Sequence, residues 1–373
     1  MDKVKIIVVD DSAFMRKAIS DMIESESNFE VVAKFRDGRE LIEKVDKFDP
    51  DIITLDVHMR DLDGLSTLKE LKRLGKSYSI IMLSSATTQG SELTLECLDN
   101  GAISFITKPS GSISLDIDKV KENLISQIKG IVTSKSRLKR SVISEEVKIK
   151  HDNVHTDDRR EEIGRRNTIS DVHTVRKENL IPKNKKINAV VIGASTGGPK
   201  ALQKVLTNLP KNLGVPVFVV QHMPEGFTKV FAERLNKVCE MNVTEAADGM
   251  KINNDTIYIA KGGSHMTVGN MNTIYLNQQP AIWGVRPAVD KLFDSAVEVY
   301  GANLLSVVLT GMGRDGADGT KRVKDNGGIT ISEDKSTCTI YGMPKAAFET
   351  GKVDLVLPLD QVCDNIIKIV KRI

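Results

Sequence analysis

Short, nearly continuous apolar runs punctuate this chain, and between them apolar positions recur every three or four residues. The first pattern is that of a strand buried on both faces. The second is that of an amphipathic helix packed against it. Up to about residue 130 the runs are Lys5–Val9, Phe29–Phe35, Ile52–Leu55, Ile80–Leu83 and Ile103–Ile106. Helical spacing fills the gaps at Ala13–Ser25, Gly38–Lys47, Gly64–Lys72, Ser91–Asn100 and Ile117–Lys129. Five βα units predict a parallel, doubly wound sheet with functional groups on the loops after the strand C-termini. The pattern lapses from 131 to 187 and then resumes. Strands are expected at Ala189–Ile192, Val217–Val220, Thr256–Ile259, Leu304–Leu309, Gly328–Ile331 and near Val353–Val356, and helices at Pro199–Asn208, Phe227–Val238, Ala288–Tyr300, Asp315–Asn326 and Leu359–Lys371. Thr273–Leu276 is a candidate antiparallel ribbon strand.

The lapse makes this a two-domain reading: 1–130, a charged linker at 131–187, and 188–373. A chain of 373 residues is long for one core. Between Lys135 and Lys186, 15 Lys and Arg face 9 Asp and Glu, whereas the whole chain carries a formal +3. The remainder is therefore mildly acidic, which argues against nucleic acid as a partner. His151, His155 and His173 in the linker lack metal-ligand spacing and read as solvated. Part of the linker's start is expected to extend the preceding helix. No run approaches the roughly 20 apolar residues of a membrane span, and the first apolar run ends in Asp10-Asp11, unlike a signal peptide. Cys97, Cys239, Cys338 and Cys363 are scattered, which suits reduced thiols in a cytoplasmic protein.

The predicted loops of the first unit carry a specific set. Asp10 and Asp11 follow the first strand, Asp56 ends the third, Ser84 the fourth, and Lys108 follows the fifth. Three carboxylates on one sheet edge repel each other unless a hard cation such as Mg²⁺ sits among them. In this order the residues resemble the response-regulator receiver domain over nearly all of the first 130 positions. The resemblance implies a flavodoxin-like fold with Asp56 as phosphoacceptor, Asp10 and Asp11 supporting Mg²⁺, Lys108 pairing with the phosphoryl group, Ser84 as switch hydroxyl and Phe105 as switch aromatic. Arg60 stands where that family usually has proline, and His58 reads as a loop variant rather than a ligand.

In the second unit, Ala189 to Pro199 reads as strand, glycine-rich turn and proline-started helix, with Ser195 on the turn. Such a turn suits a phosphate or a nucleophile equally. A dinucleotide site wants an acid about 20 residues onward, yet the second strand ends in Gln221-His222. Gly193–Gly197 fits the G-x-S-x-G elbow, whose histidine comes last in the chain; no histidine follows His265, so that fold is excluded. Structural glycines without chemistry remain an alternative. Ser195, His222 and Asp315 each follow a predicted strand and can converge as nucleophile, base and orienting acid. His265 is a rival base, disfavoured because Gly262–His265 looks like a turn.

Gly193–Gly198, Gln221–Pro224, Arg286–Asp290, Gly311–Gly316 and Tyr341–Pro344 together resemble the chemotaxis protein-glutamate methylesterase (CheB) family. With the receiver, the resemblance spans everything but the linker. It implies Ser195 as nucleophile, His222 as general base and acid, Asp315 as its partner, the Met312 N–H as oxyanion donor and Thr196 in support. It further implies a phosphorylation-activated esterase acting on glutamyl methyl esters of chemoreceptor cytoplasmic regions during chemotaxis, with glutamine deamidation by the same route. A chemotaxis histidine kinase would supply the phosphoryl group. Mg²⁺ is expected in the receiver alone, with no cofactor in the esterase domain, no membrane insertion, and a monomeric protein. Val285 and Lys261 depart from the family pattern beside the site. The rival class is a catalytically silent adaptor that only binds chemoreceptors.

Overall fold

The computed structural model describes residues 3–85, 87–108, 117–134 and 185–372. The first unit contains β1 (Val4–Val9), α1 (Ala13–Glu24), β2 (Phe29–Phe35), α2 (Gly38–Lys44), β3 (Ile52–Asp56), α3 (Gly64–Arg73), β4 (Ser79–Ser84), α4 (Thr88–Asp99), β5 (Ser104–Thr107) and α5, residues 117–134. Its five strands are all parallel, in the order β2-β1-β3-β4-β5. β3 and β4 are buried along their whole length, as the runs Ile-Ile-Thr-Leu and Ile-Ile-Met-Leu require of a sheet covered on both faces. Helices α1 to α4 each start at a side chain that accepts an N–H of the first turn: Ser12, Asp37, Asp63 and Thr87. α5 runs to 134, into the stretch read as linker; His151, His155 and His173 lie outside the described residues.

The second unit contains β6 (Ala189–Ala194), α6 (Gly198–Leu206), β7 (Val217–Gln221), α7 (Phe227–Asn236), β8 (Asn242–Glu245), β9 (Thr256–Ile259), β10 (His265–Gly269), β11 (Thr273–Asn277), α8 (Val289–Tyr300), β12 (Leu304–Val308), α9 (Ala317–Asp325), β13 (Ile329–Glu333), α10 (Met343–Glu349), β14 (Leu355–Leu357) and α11 (Leu359–Lys371). Seven parallel strands run in the order β14-β13-β12-β6-β7-β9-β8, and β10-β11 forms an antiparallel ribbon. Both sheets are doubly wound. One reverses its strand order beside β1 and β3, the other beside β6 and β12. Loops at these points diverge and leave a crevice at the strand C-termini. Three elements were not foreseen from sequence: β8, β10 and α10. His265 opens β10 instead of closing a turn.

The two units touch. α4 packs on α6 and α7. The apolar cluster beneath α1 and α5 takes in Ile340 and Met312 from the second unit. Among the described residues no helix is long and apolar enough to cross a membrane.

Candidate active site

Ser195 leaves the C-terminal end of β6 at the crevice. Its N–H donates to Thr310 O across the gap to β12 (3.0 Å), and its carbonyl accepts Gly198 N–H (2.7 Å). The next turn bends through Gly197 at φ 79°, a conformation that favours glycine, and α6 begins with Pro199 in its first turn. His222 follows β7, and Asp315 lies on the turn between β12 and α9. The side-chain amide of Gln221 donates from Nε2 to both Ser195 O (3.0 Å) and His222 O (3.1 Å), tying the serine turn to the histidine turn.

Asp315 Oδ2 lies 2.8 Å from His222 Nε2 and also accepts the Val289 N–H (2.6 Å), while Oδ1 accepts the Asp290 N–H (2.9 Å). The carboxylate thus occupies the N-terminus of α8, where free N–H groups and the helix dipole favour an anion. Burial pushes the Asp315 carboxyl up, but the His222 bond and charge and the two backbone N–H groups outweigh it and hold it below its ordinary range. The arrangement fixes the proton of His222 on Nε2 and leaves Nδ1 as the ring nitrogen able to accept one.

Asp290 reciprocates. It lies in the first turn of α8, and its Oδ1 accepts the N–H groups of Gly316 (3.0 Å) and Gly319 (2.7 Å) at the start of α9. Burial and the Asp315 charge push its carboxyl up to about 7. Two adjoining helices therefore cap each other with aspartates from each other's N-terminal ends.

Gly311 sits against Ser195. A Cβ there would lie 2.3 Å from Met343 Sδ and 2.8 Å from Ser195 Cβ. Its carbonyl accepts the N–H groups of Gly342 (3.0 Å) and Met343 (2.8 Å) at the start of α10. In a trans peptide the N–H points opposite the carbonyl, so the Met312 N–H is turned away from α10, and no acceptor among the described residues takes it. Thr196 contributes its carbonyl, which accepts from Thr310 Oγ1 (3.1 Å). His265 is fully buried, with Nε2 on Pro280 O (3.0 Å) and Nδ1 accepting the Ala288 N–H (3.2 Å). Both ring nitrogens are used structurally, and burial lowers the pKa, so the ring is not available as a base.

In the first unit the carboxylates of Asp10, Asp11 and Asp56 offer oxygen atoms within 4.8 Å of one another. Lys108 Nζ lies 2.7 Å from both Asp10 Oδ2 and Asp56 Oδ2. Asp10 Oδ2 is buried with no well-directed hydrogen bond. A compact set of hard anionic oxygens fits Mg²⁺. Burial pushes the Asp56 carboxyl up, against the pull of Lys108. His58 is exposed and contributes only its N–H, to Asp56 Oδ1 (3.2 Å). Arg60 extends outward, 3.8 Å from Asp11. Ser84 ends β4 beside this edge, but its hydroxyl accepts from Thr94 Oγ1 (2.6 Å) and donates to Gly90 O (3.3 Å) in α4. Phe105 stacks on Phe227 of the second unit, ring centroids 4.7 Å apart and planes 11° apart.

Comparison with known proteins finds two families along the chain. Residues 190–366 match the CheB methylesterase family and residues 6–117 the response regulator receiver domain. A protein-glutamate methylesterase/protein-glutamine glutaminase of Clostridium acetobutylicum is 47% identical over 371 residues, covering 100% of this chain and 99% of its own. The chain belongs to the CheB family. A relative of the same name from Methanococcus maripaludis is 43% identical and covered completely on both sides. The solved methylesterase catalytic domain of Thermotoga maritima CheB is 45% identical over 50% of this chain and all of its own, with a TM-score of 0.49.

Sequence reasoning missed Gln221 and Asp290, although both lie in motifs quoted for the family. Their roles are contacts between segments far apart in sequence, which no local spacing encodes. The resemblance implies a receiver that covers the esterase cleft, but the sequence did not single out α5 as the element lying there: Ser126 Oγ donates to Met312 Sδ (3.1 Å), and a Cβ on Gly130 would lie 3.1 Å from Ile340 Cδ1.

Proposed function

We propose that this chain is a phosphorylation-activated protein-glutamate methylesterase of chemoreceptors, with a receiver near 1–130, a linker, and a catalytic domain from about 188. The observation that carries the reading is the Asp315 carboxylate seated on a helix N-terminus and bonded to His222, with Gln221 binding that histidine's turn to the serine's. His222 Nδ1 takes the proton of Ser195 Oγ as the oxygen attacks the glutamyl ester carbonyl. The Met312 N–H stabilises the resulting oxyanion; one such donor contributes about 3 kcal/mol. The protonated imidazole then gives its proton to the departing methanol. Water, deprotonated by the same histidine, attacks the glutamyl-serine; the imidazolium returns that proton to the departing Ser195 Oγ, and the glutamate is released. With glutamine in place of the ester, ammonia leaves instead.

Asp56 is the phosphoacceptor, and Lys108 is placed to neutralise charge on the incoming group. Mg²⁺, held by Asp10, Asp11 and Asp56, would supply the remaining charge neutralisation. A chemotaxis histidine kinase is the donor, and the protein works as a cytoplasmic monomer. Regulation follows from α5 on Met312 and from Phe105 on Phe227, the residue that opens the helix after the His222 turn. Both contacts favour an unphosphorylated receiver that holds the esterase site closed.

The test is methanol release from methylated receptor membranes, with wild type and Ser195→Ala compared before and after phosphorylation. Release that rises on phosphorylation and vanishes in Ser195→Ala is expected. No release from phosphorylated wild type would overturn the enzyme reading and leave the adaptor.

A further inference from the structure

The turn Ile282–Val285 is closed by two main-chain hydrogen bonds, Ile282 N–H to Val285 O (3.1 Å) and Val285 N–H to Ile282 O (2.9 Å). Its central residues, Trp283 and Gly284, have φ of 52° and 78°. That is the type I′ geometry, in which asparagine or aspartate normally precedes glycine. A tryptophan forced left-handed is strained, its Cβ brought close to the following carbonyl oxygen. The indole is held from outside the turn. Nε1–H donates to Asp290 Oδ2 (3.1 Å), and the Arg314 guanidinium lies over the ring, 4.6 Å from its centroid. Those partners are the aspartate that caps α9 and the residue next to Asp315. Even so, Trp283 remains 52% exposed while the receiver covers Met312. Strain of this kind at a site's rim points to a role for the exposed group.

We propose that Trp283 and Arg314 form the element that recognises the protein substrate around its ester. The open indole face covers the apolar stem of the substrate segment, and Arg314 pairs with an unesterified carboxylate beside the ester. The inference rests on the methylesterase reading. It adds a preference for substrate segments that are anionic next to the reacting group. Arg314 already shares its charge with the exposed Asp318 (3.2 Å), so a substrate carboxylate exchanges one weak partner for another next to an aromatic face.

Trp283 is the sole tryptophan of the chain, so tryptophan emission from the full-length protein, phosphorylated to disengage the receiver, reads this position alone, without turnover. The probes are two synthetic helical peptides carrying one glutamyl methyl ester, flanked either by glutamates or by glutamines. The glutamate-flanked peptide should shift the emission to the blue and shield it from acrylamide, at a concentration about threefold lower than the glutamine-flanked peptide needs, as expected for one exposed ion pair. Arg314→Gln should abolish that difference. Trp283→Asn suits the turn and should fold at least as well as wild type. On methylated receptor membranes its loss of about tenfold in kcat/KM, the scale of one removed aromatic contact, should fall on KM. Saturating peptide that leaves emission and quenching unchanged overturns the proposal, as does a Trp283→Asn loss carried by kcat or no loss at all. Failure of the esterase reading looks different: wild type and Ser195→Ala then release equally little methanol, whatever the fluorescence does.

Discussion

The two halves of this chain use the same crevice of a doubly wound sheet and equip it in opposite ways. In the receiver, α1 to α4 close their own N-termini with Ser12, Asp37, Asp63 and Thr87, so no helix end draws on Asp56 at the crevice, and Lys108 pairs with it and with Asp10 instead. In the esterase domain none of α6 to α11 is capped by the side chain that precedes it. α8 and α9 are capped instead by Asp315 and Asp290. The receiver edge compensates its buried acids with a side-chain cation, Lys108. The esterase edge holds Asp315 against His222 with a helix end. Asp56 and Asp315 also differ in the sign of their pKa shift. Asp56 is raised by burial, whereas at Asp315 the His222 bond and charge and the helix N–H groups outweigh burial.

The sharpest way to break this contrast is Asp315→Asn. Loss of the tautomer control should lower kcat about 10⁴-fold, the scale known for such triads, while phosphorylation of Asp56 proceeds normally. Methanol release and phosphoryl incorporation measured on one sample decide it; a parallel loss of both would mean the crevices are not independent. Next in size is deletion of residues 1–187. Basal methanol release should rise within the roughly 5–150-fold range of ordinary coupling energies, and unchanged release would count against inhibition by the receiver.

Stability should then separate the two acids by sign. Asp315 has a depressed folded pKa, so its stabilisation is present above the ordinary carboxylate range near pH 4 and fades as pH falls through the folded value. At pH 7, Asp315→Asn should cost about 1–3 kcal/mol, because it weakens the bonds to two buried N–H groups. Asp56 has a raised folded pKa, so its contribution is fully present below the unfolded value and declines as pH rises through the folded one. Asp56→Asn should therefore stabilise the receiver at pH 7, by roughly 1 kcal/mol, with the gain shrinking toward pH 4. Calorimetry at pH 4 and pH 7 reads both, and shifts of the same sign would refute the contrast. The smallest effect is expected from Asp63→Ala, about 1 kcal/mol from the α3 cap, seen in receiver melting and absent from the kcat of the phosphorylated enzyme.

Much of this was legible from the chain. Parallel strands buried on both faces announce themselves as apolar runs, and the residues that end them sit at one edge by topology, so Asp56, Lys108, Ser195, His222 and Asp315 could be placed without coordinates. β8 escaped because Asn-Val-Thr-Glu is a short, half-polar edge strand. β10 escaped because Gly262-Gly263 masked its start. α10 spans only seven residues. Gln221 and Asp290 were invisible in their roles for another reason. Each acts by bridging two distant turns, and that pairing is a property of the fold and not of any segment.

The intrusion of Met312 and Ile340 into the apolar cluster of α1 and α5 carries one more consequence. The receiver's core is completed by its neighbour, so the heat of melting cannot be divided cleanly between the two halves while they are engaged. Calorimetry of the unphosphorylated chain should give a single endotherm. Phosphorylation should split it in two, with the receiver's peak moving down as it surrenders borrowed core.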